Sequence, residues 1–246
     1  MNETIKQLFD RKSVRVFTEQ AIAPEEKQLI LEAATQAPTA GNQQLYTILD
    51  ITDPAIREKL VKSCDDQPLI AQAKLVLIFC ADCLKWYNAF AFSGCEPRDP
   101  GVGDLMLSVS DATIAAQNAV VAAQSLGIGS CYIGDIMENY ELQKEILQIP
   151  DYVFPCAMLV FGYPTEQQLR REKPRRAALS HIVHENGYRV MNKEELRDML
   201  CVKASSDYDA WIRAFCKRKY NSDFSREMTR SVSQYLAEYT NKKPEV

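Results

Sequence analysis

The stretch Ala115-Ala-Gln-Asn-Ala-Val-Val-Ala-Ala123 is apolar almost all the way round a helix. A surface helix keeps a polar face, whereas one that is apolar on every side is buried. The surrounding sequence reads as one long helix, capped at Asp104 and running to about Leu126, with Gly127 suited to its C-terminal stop. The fold therefore has a helix at its centre. With 246 residues, 46% apolar and 25% charged, the chain has the material for a sizeable core in one large domain.

The other elements follow from periodicity. Helices are expected over Asn2–Asp10, from Pro24 with Leu29, Ile30, Ala33 and Ala34 as a buried stripe, over Pro54–Ser63 and over Glu138–Gln148. Strands are expected over Leu45–Ile51, Lys74–Ala81, Ser130–Ile133 and Val153–Tyr163. Glu96–Gly103, with two prolines and two glycines, reads as a loop. From Met191 the chain reads as amphipathic helices with charged faces. The order of elements predicts an α+β fold, helices around a sheet of about four or five strands. The spacing of the strands argues against a doubly wound arrangement.

Lys plus Arg number 29 and Asp plus Glu 33, a net charge of −4, without the basic excess of a nucleic-acid binder. The longest apolar stretches, around Leu75–Phe79 and Met158–Phe161, are too short to cross a bilayer. Met1-Asn-Glu-Thr4 has neither a basic nor an apolar leader region, so a cytoplasmic protein without a membrane partner is expected. Cys80 and Cys83 have CxxC spacing, but Cys80 ends an apolar strand and reads as a core residue. No second CxxC accompanies it, and no further ligand completes the pair His181 and His184, so no metal is expected. Gly101-Val-Gly103 lacks the third glycine of a dinucleotide fingerprint.

Three basic clusters stand out: Arg11, Lys12 and Arg15 around Ser13; Arg170 and Arg171; and Lys173, Arg175 and Arg176. Guanidinium forks beside a hydroxyl suit a phosphate monoester. The first cluster runs straight into Val16-Phe17, which puts positive charge beside a core-bound segment. Asn42 and Gln44, in a turn with Pro38 and Gly41, present amides able to read a polar ring edge.

These segments together resemble the FMN-dependent nitroreductase family. Arg11-Lys12-Ser13-Val14-Arg15-Val16-Phe17 is similar to the family's N-terminal phosphate motif. Ala37-Pro38-Thr39-Ala40-Gly41-Asn42-Gln43-Gln44 resembles its Ala-Pro-(Ser/Thr)-x-x-Asn-x-Gln segment, which meets the flavin of the partner subunit. Gly127 to Asp135, through Tyr132, Ile133 and Gly134, resembles the turn over the isoalloxazine, and Lys173-Pro174-Arg175 the late basic motif at the phosphate. The four occur in family order over about residues 1–180. Gln67 stands where the larger NADPH-preferring nitroreductases and flavin reductases place a glutamine near the flavin pyrimidine. Asp135 stands where they often have glycine. Capping of the helix expected from Glu138 is the favoured role for its side chain.

The resemblance implies a nitroreductase-like fold with a mixed, mostly antiparallel sheet. It implies an FMN-binding part over 1–190 and a helical extension over 191–246 of the same domain, reaching across a homodimer. It implies FMN as cofactor, NAD(P)H as electron donor, and ping-pong hydride reduction of a nitroaromatic, quinone or similar small electron-poor acceptor. No side chain is then needed as catalytic acid or base, and Arg15 supports the reaction from the flavin N1/O2 edge. A dehalogenase or enone reductase on the same scaffold would differ in the covering segment Trp86–Gly103. A redox-passive flavin-binding protein would not turn over.

Overall fold

The computed structural model describes residues 1–201 and 207–240; the parts of the expected C-terminal extension at 202–206 and 241–246 lie outside the described residues. Its elements are, in chain order, α1 Glu3–Asp10, α2 Pro24–Thr35, β1 Tyr46–Asp50, α3 Pro54–Ser63, α4 Leu69–Gln72, β2 Leu75–Asp82, α5 Leu84–Phe92, α6 Val102–Ser125, β3 Gly129–Ile133, α7 Tyr140–Leu147, β4 Val153–Gly162, α8 Glu166–Arg170, α9 Lys193–Cys201, α10 Tyr208–Lys219 and α11 Asp223–Glu238. The chain forms two compact units. One comprises Met1–Arg171 and the chain from Glu227 onward; the other is Glu172–Arg226.

The sheet of the first unit has the order β1-β2-β4-β3, and every pair of strands is antiparallel. Its parallel element is a single bridge between Ser13 and Ser130. β2 is buried along its whole length. Alternate side chains of a strand face opposite ways, and here both faces are covered. Leu75, Leu77 and Phe79 pack with Leu159, Phe161 and the small side chains of α6. Val76, Ile78 and Cys80 pack with Met158, Val160, Cys131 and the α3 residues Leu60 and Val61. This is why β2 reads as a continuous apolar run rather than an alternating one.

α6 lies against the first of these faces through Ala112, Ala115, Ala116, Ala119, Val120 and Ala123, all fully buried. Alanine at these positions lets the helix sit close on the sheet. By length and composition α6 could cross a bilayer; here its apolar face fills the core. Burial covers one face rather than the whole circumference expected of the run Ala115–Ala123: Gln117 is exposed, Val121 and Ala122 are half-buried, and Val102, Met106, Leu107 and Ile114 are exposed. The cap also differs in detail: Asp104 is the third helical residue and accepts from the Gly101 N–H at 2.8 Å. Leu29 of α2 is exposed as well, while Ile30 and Ala34 carry its buried stripe.

The end of the chain returns to the first unit. Tyr235 and Tyr239 are buried with Ala81, Leu105, Tyr152 and Phe154. The Tyr235 ring meets Tyr140 and Phe154 edge-on at 4.6 and 4.9 Å. α11 also supplies the acceptors that α7 needs at its start. Glu227 accepts from the Asn139 N–H at 3.1 Å, and Ser231 Oγ from the Tyr140 N–H at 2.9 Å. Asp135 therefore does not cap this helix. It lies in the short 3-10 turn Gly134–Met137, and α7 begins two residues later than expected because its first amides are satisfied from the far end of the chain. Within the second unit, His181 Nε2 lies 3.3 Å from Asp198, and the rings of Trp211 and Phe215 stack at 5.3 Å.

Candidate functional site

The basic segment after α1 lies along the edge strand β3. The Val14 N–H donates to Ser130 O at 2.9 Å, and the Val14 side chain fills the space beside Gly129. A Cβ there would stand 2.6 Å from Val14 Cγ2, so only glycine admits this close approach. A second glycine repeats the device: a Cβ at Gly162 would meet the Phe17 ring at 2.7 Å. Both ends of the segment are thus pressed onto the sheet, which fixes the direction of the cations between them.

Arg11 ends α1, its N–H bonded to Gln7 O at 2.9 Å. Its side chain is half-buried, and the buried Nε has no hydrogen-bond partner among the described residues. Arg15 is exposed, with its backbone N–H on Gln168 Oε1 at 3.2 Å. Lys12 turns toward α8 and donates to the carbonyls of Leu169, at 2.7 Å, and Arg171. Arg171 in turn donates to Ser13 O. The charges converge on Cys131 of β3. Burial pushes this thiol up, and Arg15, Arg11 and Arg171 draw it back. Arg11 acts likewise on Tyr132, whose hydroxyl is pushed up to about 12 by burial. A cleft of about 490 Å³ lined by Gln167, Gln168, Arg170 and Arg171 opens beside this strip.

Gln168 did not emerge from the sequence as a site residue. Arg171 stood out only as half of the basic pair Arg170-Arg171, outside the family-like motifs. Gln168 is buried only because the chain folds back to meet Arg15.

The turn 38–44 is organised by a single carboxylate. Asp111 of α6, 4% exposed, accepts from the Thr39 hydroxyl, from the Ala40 N–H at 3.1 Å and from the Leu45 N–H at 3.2 Å. The Thr39 hydroxyl oxygen accepts from the Gln44 N–H at 2.8 Å, and Trp86 Nε1 donates to Gln43 O at 2.7 Å. These bonds hold Gly41, Asn42 and Gln44 at positive φ, a conformation that glycine and asparagine tolerate best. Pro38, Asn42 and Gln44 are left exposed. Behind the turn, Leu45, Trp86, Tyr87, Phe90, Pro97, Arg98 and Leu107 help line a cavity of about 340 Å³. Its wall includes α5, which forms inside the segment expected to cover the site.

Tyr132 is half-buried, its hydroxyl donating to Gln117 of α6 at 3.3 Å, and Ile133 is buried. Gly134 is exposed where the chain leaves the strand. Gln67, half-buried, accepts from the Ile70 N–H at 3.2 Å through its backbone. Lys173 and Arg175 belong to the second unit. The structure thus brings Arg11, Ser13 and Arg15 together with β3 and adds Arg171. The Asp111-held turn is a separate cluster. Arg11 lines a small crevice with Val121 and Gln124, at least ten helical residues from Asp111, or about 15 Å along α6.

The sequence profile of the Nitroreductase family matches residues 8–163. This chain belongs to the nitroreductase family. Among its family relatives, an FMN reductase (NADPH) of Bacillus subtilis is 31% identical over 99% of this chain and 94% of its own. An oxygen-insensitive NADPH nitroreductase of Salmonella typhimurium is 34% identical over 80% of this chain and 79% of its own. In structure, a B. subtilis nitroreductase superposes with a TM-score of 0.77 at 29% identity, covering 92% of this chain and 98% of that one. The α+β architecture of this nitroreductase-family chain is that of its solved relatives, and the matched region holds every expected site residue except Lys173 and Arg175.

Proposed function

We propose that this chain is an NAD(P)H-dependent FMN oxidoreductase, active as a homodimer in the cytoplasm on small electron-poor acceptors such as nitroaromatics or quinones. The observation that carries the reading is the basic segment 11–15 pinned along β3 by the Val14 N–H on Ser130 O, with Arg171 donating to Ser13 O and the buried Arg11 Nε left without a partner among the described residues. The residues present fit a flavin carrying one phosphate. Two guanidinium groups and the Ser13 segment suit the phosphate, and no complete dinucleotide fingerprint provides for a second nucleotide.

FMN, when bound, supplies hydride transfer from the nicotinamide to the acceptor. The protein's part is binding and electrostatics. Arg11 and Ser13 hold the phosphate; Lys173 and Arg175, in the second unit, are the cations of the family-like late basic motif. Lys12 supports them by holding α8 in place. Arg15 presents positive charge where reduction accumulates negative charge, and Gln67 offers its amide to the ring edge. Tyr132, Ile133, Gly134 and Asp135 provide the strand end and turn against which the ring packs. Pro38, Thr39, Ala40, Asn42 and Gln44 serve the site of the partner subunit. In support of that exchange, the turn and the basic strip are about 15 Å apart along α6, and the exposed face Val102, Met106, Leu107 and Ile114 offers an apolar surface for association.

Heat release of the cofactor followed by chromatography tests the reading. FMN is expected; FAD alone, or no flavin from protein purified with flavin supplied, overturns it.

A further inference from the structure

Three carboxylates meet just beyond β3. One oxygen each of Asp65, Asp135 and Glu138 lies within 4.8 Å of the others. Asp65 is exposed, Asp135 half-buried, and Glu138 only 3% exposed. The buried Glu138 Oε1 has no hydrogen-bond partner among the described residues. Asp65 and Asp135 stand beside it, and Glu227 accepts from the N–H of the next residue, Asn139. Nearby bases are already engaged: Lys62 with Asp66 at 2.7 Å, and Arg230 with Glu141 and Glu227, each at 2.8 Å.

An acceptor buried without a donor loses its hydration for nothing, and like charges gathered around it add repulsion. A cation among the three oxygens removes both penalties. We propose that Asp65, Asp135 and Glu138 form a binding site for a divalent cation of calcium's size. The donors are hard oxygens, which suit calcium or manganese rather than a thiophilic metal. Calcium takes oxygen ligands at about 2.3–2.6 Å in a flexible geometry, so three carboxylate oxygens already gathered within 4.8 Å need only small side-chain adjustments to close on one ion. Asp65 opens the site to water, which completes the coordination shell and gives the ion a way in. The ligands come from the segment after α3 and the turn after β3, so no short sequence motif announces them. Gly134 and the backbone of Asp135 remain available to the flavin while the Asp135 carboxylate faces Asp65 and Glu138.

The test is calcium titration of the full-length, FMN-saturated protein after chelator treatment, by calorimetry and by thermal unfolding. One Ca²⁺ per chain and a raised Tm are expected, with affinity at least tenfold weaker in Asp65→Asn and in Glu138→Gln. If the buried variant fails to fold, the exposed Asp65→Asn decides alone. No binding to the wild type, or equal affinity in Asp65→Asn, overturns the proposal.

Discussion

Val14 occupies the space that a side chain at Gly129 would need, with a Cβ there only 2.6 Å from Val14 Cγ2. This contact seats the basic segment on β3 and so places Arg11 and Arg15 relative to the strand. Gly129→Ala is expected to destabilise the protein by about 1–3 kcal/mol, the usual cost of overpacking, and to weaken FMN binding. Val14→Ala in the same chain should recover part of both losses. Urea unfolding and flavin titration of the single and double variants check this, and strictly additive effects would mean that the two residues do not couple.

Asp111→Asn should loosen the turn 38–45. The amide retains one acceptor oxygen but presents an NH2 group to donors that now meet a carboxylate. Hydrogen bonds to a charged group are each worth about 1.5–3 kcal/mol, so a loss of at least about 1.5 kcal/mol is expected in urea. A change under about 0.5 kcal/mol would show that the turn holds itself.

Arg11→Ala should weaken FMN binding by about 1.5–3 kcal/mol, the worth of one hydrogen bond to a charged group, or roughly ten- to a hundredfold. Arg176→Ala should do less. Lys12→Ala should act chiefly on stability, since its ammonium is engaged by the carbonyls of Leu169 and Arg171. Fluorescence titration with FMN measures all three, and an Arg11 variant that binds like wild type would refute the placement.

The junction of α7 and α11 should give way in acid. Arg230 and Ser231, followed by the Asn139 N–H, lower Glu227 from its ordinary value near 4.5 to about 2; Glu138 and Glu141 are the acidic groups facing it. A carboxyl lowered by folding stabilises fully above the unfolded value, and that stability is lost as pH falls through the folded value. Unfolding free energy should therefore drop between pH 4.5 and 2, and Glu227→Gln should flatten that part of the profile. An unchanged profile would remove Glu227 from the account.

Much of the fold was legible because its cause is local. The unbroken run from Leu75 to Phe79 marks a strand covered on both faces, and the alanines of α6 mark a helix lying close on a sheet. The four family-like segments stand in order and identify the scaffold before any packing is known. What was not legible depends on distant residues. Asp111 is one carboxylate in a helix that reads as apolar, and only the folded chain brings it to Thr39 and Leu45. The start of α7 is set by Glu227 and Ser231, about ninety residues later in the chain. Glu138 looks like an ordinary first-turn acid until burial strips its oxygen of partners.

Anaerobic addition of NADPH or NADH to the flavin-loaded wild type tests the central claim most directly. Bleaching of the oxidised-flavin absorbance, with colour restored on adding a quinone or nitroaromatic, is the predicted result. Flavin that stays oxidised with both nucleotides would contradict the account and leave a chain that binds FMN without using it.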